Sequence, residues 1–150
     1  MNVSIIALPR VSMDGCHERL QADPAFNVVA LSATLSGRAT TVALAATDVL
    51  IVDESVIEQN GFATLQRRLE SHPQVKCLVV MDEYAEDKMI WTLLRGVRGV
   101  MCAAEAPRLL SKAIRQLHAG EVWMSRGLLA PFRRALRSKP DWLMPGPIGS

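Results

Sequence analysis

Apolar residues along the chain gather in five short runs, VSIIAL (3–8), NVVALSA (27–33), DVLIVD (48–53), VKCLVVM (75–81) and GVMC (99–102). The runs lack the strict polar alternation of a half-solvated strand, so they predict strands covered on both faces. Between them apolar positions recur at helical spacing. MDGCHERLQAD (13–23) follows the first run, GRATTVALAA (37–46) the second and GFATLQRRLES (61–71) the third, with Phe62, Leu65 and Leu69 on one face. EDKMIWTLLRG (86–96) opens on acids that suit a helix N-terminus and stops at Gly96, and APRLLSKAIRQLHAG (106–120) enters through Pro107 and leaves through Gly120.

Five strands alternating with five helices call for a parallel sheet with helices on both faces. The expected architecture is a flavodoxin-like (βα)5 three-layer sandwich of strand order 2-1-3-4-5, the order that right-handed crossovers favour. Beyond it, EVWMSRGLLAPFRRALRSKP (121–140) predicts an extra C-terminal helix with Leu128, Leu129, Phe132 and Leu136 on one stripe, arginines around it, and a break at Pro131. Trp123 and Trp142 flank that helix, either stapling it to the body or belonging to something beyond it. The last eleven residues hold three prolines and two glycines, the composition of a linker. Three units are expected: a domain over 1–120, a helical extension over 121–139 and a linker or added tail over 140–150.

At 150 residues and 49% hydrophobic content the chain is long enough for one core. No apolar run approaches the ~18 residues that would span a membrane. The opening MNVSIIALPR reads as a first strand rather than a leader, which points to a soluble, cytoplasmic protein without a membrane partner. Cys16, Cys77 and Cys102 form no CxxC pair, and His17, His72 and His118 lack metal-ligand spacing, so neither a metal nor another cofactor is expected. The net charge of +2 is unevenly spread. Residues 1–107 hold 9 basic against 13 acidic side chains, whereas residues 108–150 hold 8 against 2. That basic last third is either a solvated face or a surface for an acidic partner.

One residue stands where chemistry gathers in such a sheet. Asp53 ends the third strand, at the carboxyl edge near the reversal of strand order. No glycine-rich phosphate loop follows VSIIAL and no nucleophile stands beside a base, which weighs against a flavodoxin-like enzyme or nucleotide binder.

The block LLRGVRGVMCAAEAPRLLSKAIRQLHAGEVWMSRGLL (93–129) resembles the closing part of receiver domains of two-component response regulators, of the NarL/FixJ type that precede a helix-turn-helix domain. DVLIVDES with Gly61 beyond it is similar to that family's phosphoacceptor strand, and the resemblance spans about residues 3–139. It places Asp53 at the phosphoacceptor. The acid pair that would hold Mg²⁺ corresponds to Leu8 and Pro9, the hydroxyl residue of the fourth strand to Met81, and the lysine after the fifth strand to Ala103. The aromatic switch corresponds to Val100, and the proline after the phosphoacceptor to Ile57.

Phosphoryl transfer depends on positioning and on charge neutralisation by metal and cations, so an aspartate without them predicts a degenerate pseudo-receiver. Glu54, Asp82 and Glu83 add negative charge that disfavours a phosphoryl dianion. Arg10 either satisfies the carboxylates of Asp53, Asp82 or Glu83 where Mg²⁺ would sit, or points to solvent. Asp53 itself either caps a loop or helix, forms part of such a lock, or retains phosphorylation or metal binding.

Receivers dimerise, or contact their DNA-binding domain, through the fourth helix, fifth strand and fifth helix, or in this subgroup through the first and fifth helices. Trp91 and Leu94 exceed what a buried helix face needs, so they are either an interface or extra local packing. Arg108, Lys112 and Arg115 lie outside the buried stripe of the fifth helix and are the other interface candidates. The function expected is that of a non-enzymatic, phosphorylation-independent receiver domain. It would form a homodimer and regulate a helix-turn-helix domain outside these residues, through which alone it would meet DNA. The alternative is a stand-alone interaction protein, or a sensor whose altered pocket binds a small molecule or a protein regulator.

Overall fold

The computed structural model describes residues 1–8 and 15–138. Five parallel strands, β1 (Asn2–Ile6), β2 (Asn27–Ser32), β3 (Val49–Asp53), β4 (Lys76–Met81) and β5 (Gly99–Cys102), form one sheet in the order β2-β1-β3-β4-β5. The flavodoxin-like three-layer arrangement expected from the alternating pattern is the one observed. Helices α1 (Cys16–Gln21) and α6 (Ala106–His118) cover one face. Helices α2 (Arg38–Ala45), α3 (Glu54–Asn60), α4 (Phe62–Ser71), α5 (Glu86–Leu94) and α7 (Arg126–Arg137) lie on the other.

The sheet separates two apolar clusters because successive strand residues point to opposite faces. Val3, Ile5, Val49, Ile51, Leu78 and Val80 pack with Leu110, Ile114 and Leu117 of α6. Ile6, Leu50, Val52, Cys77, Val79 and Met81 pack with Leu44, Leu65, Met89 and Leu93. Burial of both faces of β3 and β4 explains the unbroken apolar runs that identify them in sequence.

Three local features differ from the sequence expectation. The segment after β3 is two helices rather than one starting at Gly61. Here α3 begins directly after Asp53, and Gly61, at φ 84°, turns the chain before α4. The period of that first stretch is hidden because Val56 is its only fully buried residue. Pro131 does not break the last helix: α7 runs through it despite the lost N–H and the crowding of the ring against the carbonyl four residues back, while Leu128 and Phe132 on either side hold it to the core. Nor do all four residues assigned to the apolar stripe of α7 face inward. Leu128 is buried and Phe132 packs on the core, but Leu129 and Leu136 are 42% and 49% exposed.

The extension is built into the fold. Trp123 bridges the outer edge of β5, donating its amide to the Arg98 carbonyl at 3.0 Å and accepting from the Val100 amide at 3.1 Å. The close approach needs a glycine: a Cβ on Gly99 would meet the Leu78 side chain at 2.9 Å and Trp123 Cβ at 3.2 Å. From there α7 folds back against α5, and Leu128 joins the cluster beneath it. Trp142 and the tail over 140–150 lie outside the described residues.

Candidate functional site

The carboxyl edge of β1, β3, β4 and β5 brings Leu8, Asp53, Met81 and Ala103 to the same end of the sheet. Asp53 is 1% exposed. It is the N-cap of α3, with extended backbone at φ −73° and ψ 132°. The Ser55 amide donates to Asp53 Oδ1 at 3.3 Å and the Ser55 hydroxyl to Oδ2 at 2.7 Å. Of the three roles open in sequence, capping is therefore present in the structure. Such a cap satisfies an amide left over at the helix start and places a negative charge at the positive end of the helix dipole. Asp53→Ala is expected to cost about 1 kcal/mol in urea unfolding, with faster amide exchange at Ser55 and Val56 as the local signature.

Around that carboxylate the side chains are mostly apolar. Met81 is buried in the second cluster, Leu8 and Ile57 pack against it, and Val100 and Ala103 are buried. After β5 the first polar side chain to turn back is an acid, since Glu105 Oε1 accepts from the Cys102 amide at 3.3 Å. Asp82 and Glu83 lie exposed in the loop after β4. Pro9 and Arg10 lie outside the described residues. No group of three or more His, Cys, Asp or Glu suited to a metal ion occurs among the described residues.

Glu54 does not simply add charge beside Asp53. Its carboxylate pairs with Lys88 Nζ of α5 at 2.7 Å, and that hydrogen bond and charge, helped by Glu58, hold the Lys88 pKa above its ordinary value. Lys88 and Ser55 are neighbours of the candidate site that the sequence alone did not single out. Ser55 had a signal in its place two residues after a strand-end aspartate, a common capping arrangement. Lys88 had none, because its partner lies 34 positions away on another helix. Beside this ion pair opens a cleft of about 310 Å³, lined among others by Ile57, Phe62, Met81 and Trp91.

Trp91 is half-buried and edge-on to Phe62, with ring centroids 4.8 Å apart. The Arg95 guanidinium lies 4.5 Å from the Trp91 ring centre while donating to Gln66 at 3.1 Å. Leu94 is half-buried on the same helix. On α6, Arg108 and Lys112 are exposed. Arg115 instead ties α6 to the loop before β2, pairing with Asp23 at 2.7 Å over the Phe26 ring. The Ala25 amide and then Arg115 hold the Asp23 carboxyl below its usual range.

No family model matches the chain. It is 24% identical over 127 residues to the DNA-binding transcriptional activator DevR/DosR of Mycobacterium tuberculosis, covering 85% of this chain and 58% of that protein. The isolated REC domain of RcsB from Salmonella enterica serovar Typhimurium superposes with a TM-score of 0.71 at 22% identity, over 91% of this chain and 98% of that one. A LuxR-family two-component response regulator from Aurantimonas sp. SI85-9A1 gives 0.73 at 16%, over 92% and 98%. The RcsB–DNA complex gives 0.73 at 17%, over 94% of this chain and 71% of that one. The fold is that of response-regulator receiver domains. The chain spans 58% of the length of the curated relative it matches.

Proposed function

We propose that this chain is a receiver-like regulatory module that acts without phosphorylation, dimerises, and controls a helix-turn-helix DNA-binding domain outside these 150 residues. One observation carries the reading. The buried carboxylate at the end of β3 caps its own following helix, and the neighbouring strand ends present Leu8, Met81 and Ala103. Aliphatic side chains offer an incoming phosphoryl group neither metal ligand, hydroxyl donor nor cation. Those strand ends therefore contribute nothing to stabilising the charge that builds on the transferring oxygens. The likeness to a DNA-binding transcriptional activator and to a regulator solved on DNA supports the link to transcription. No helix among the described residues is long and apolar enough to cross a membrane.

Incubation with acetyl phosphate and Mg²⁺, read by intact mass and light scattering, tests this. The expected result is an unchanged mass and a dimer that forms equally with and without the reagent. A stoichiometric phosphoryl adduct that disappears in Asp53→Asn overturns it.

The cleft between α3, α4 and α5 favours a second reading, a sensor of small ligands. Its volume falls at the low end of ligand sites, and its lining combines an apolar body with the Glu54–Lys88 pair at one side. A fragment screen by ligand-detected NMR, with Trp91→Ala as the control, separates the two: hits lost in that variant support sensing.

A further inference from the structure

We propose that the outer face of α7, together with the acidic loop between β4 and α5, is the surface on which a second copy of this chain docks. The proposal deepens the dimerising module above, resting on it for the dimer but not for the silence of Asp53. Three observations converge on the surface. First, Arg126, Arg133, Arg134 and Arg137 line the outward side of α7, and among the described residues none is within ion-pair distance of a carboxylate. With Leu129 and Ala130 they border a shallow groove of about 440 Å³.

Second, four of the six large apolar side chains exposed in the described residues belong to this one region. Leu129 and Leu136 lie on α7, Val122 just before it, and Tyr84 in the adjoining loop. The Tyr84 hydroxyl lies 3.9 Å from where a Cβ on Gly127 would be, which fixes that loop beside the start of α7. Leu129 and Leu136, seven positions apart, share one flank of α7 and give it an exposed apolar strip of the kind that marks interfaces.

Third, the loop that abuts the basic helix and the first turn of α5 that follows it are acidic. Glu83, Glu86 and Asp87 are exposed and, among the described residues, pair with no cation. A patch that carries a basic strip and an acidic strip side by side is complementary to itself under a two-fold rotation. Two α7 helices crossing antiparallel bring Arg133 and Arg137 near the end of one helix to the loop at the start of the other, and the exposed leucines meet between them. A nucleic acid is the competing occupant of four arginines, but the exposed apolar groups and the adjoining carboxylates disfavour a polyanion there.

Charge exchange tests the pairing. Arg133→Glu with Arg137→Glu makes one variant, and Glu86→Arg with Asp87→Arg makes another; all four side chains are exposed, so both should fold. Sedimentation over a range of concentrations should show a wild-type dimer, and each variant alone should dissociate at least about tenfold more readily. An equimolar mixture should regain the dimer, because each copy then offers the charge the other lacks at both contacts. Variants that dimerise like wild type overturn the surface while leaving the dimerising module intact. A wild-type monomer at all concentrations overturns both, and retention of duplex DNA by monomeric protein through these arginines replaces the second copy with nucleic acid.

Discussion

Leu128→Ala is expected to lower the unfolding free energy by about 2–5 kcal/mol, against less than ~0.5 kcal/mol for Leu129→Ala one position on. The contrast follows from the rotation of the helix. Leu128 is 1% exposed in the cluster beneath α5, whereas Leu129 is 42% exposed on the outer face. Removing Leu128 takes out the one fully buried anchor of α7 and leaves a void bounded by the second cluster, which includes Met89, Leu93 and Cys102. Urea unfolding at concentrations that keep the protein monomeric measures the difference. With Trp91 and Trp142 replaced by Phe, the fluorescence of the remaining Trp123 shows in the same titration how far the extension loosens first. Equal small losses in both variants would mean that α7 adds nothing to the core.

The second large effect is one of pH. Burial pushes the Cys77 thiol from its ordinary 9.0 up to about 12, because the thiolate would have to form inside the apolar layer between β4 and the helices. The folded state therefore holds this proton after the unfolded chain has released it. Below pH 9 the group is protonated in both states and its contribution is intact. As pH rises from 9 toward 12 that stability is lost at about 1.4 kcal/mol per unit, approaching ~4 kcal/mol at the upper end. Other groups titrate in the same range, so the measurement is the difference between wild type and Cys77→Ala. The variant should start less stable at pH 8 because of its cavity, and the gap should close by more than 1 kcal/mol at pH 10.5. A gap that stays constant would mean the thiol ionises as readily folded as unfolded.

The sheet and its order were readable from the five apolar runs because both faces of β3 and β4 are covered, which leaves no polar position to blur the pattern. The start of α3 was not. Glu54–Asn60 has too few buried positions to show a period, and its nucleus is the cap supplied by Asp53 and Ser55. At the candidate site, the identity of the strand-end residues is linear information and the sequence carries it. The Glu54–Lys88 pair and the approach of Phe62 to Trp91 and Arg95 are products of helix packing across 29 to 34 positions, and no local spacing announces them. The outward turn of Leu129 and Leu136 was hidden for a different reason. A stripe of leucines at helical spacing says that a face is apolar, and says nothing of which neighbour will cover it.

The bridge from Trp123 to β5 sets the direction in which the sheet can grow. A parallel sheet ends in two margins of unpaired amides and carbonyls, each a template for another chain. Trp123 occupies part of one, at Arg98 and Val100, and its side chain packs against the cluster on the α6 side. The other margin, β2, keeps Leu31 59% exposed and carries no such guard among the described residues. Cutting the chain after Gly120 would uncover the first margin and the apolar bed of Leu128 together, turning a protein with one vulnerable rim into one with two.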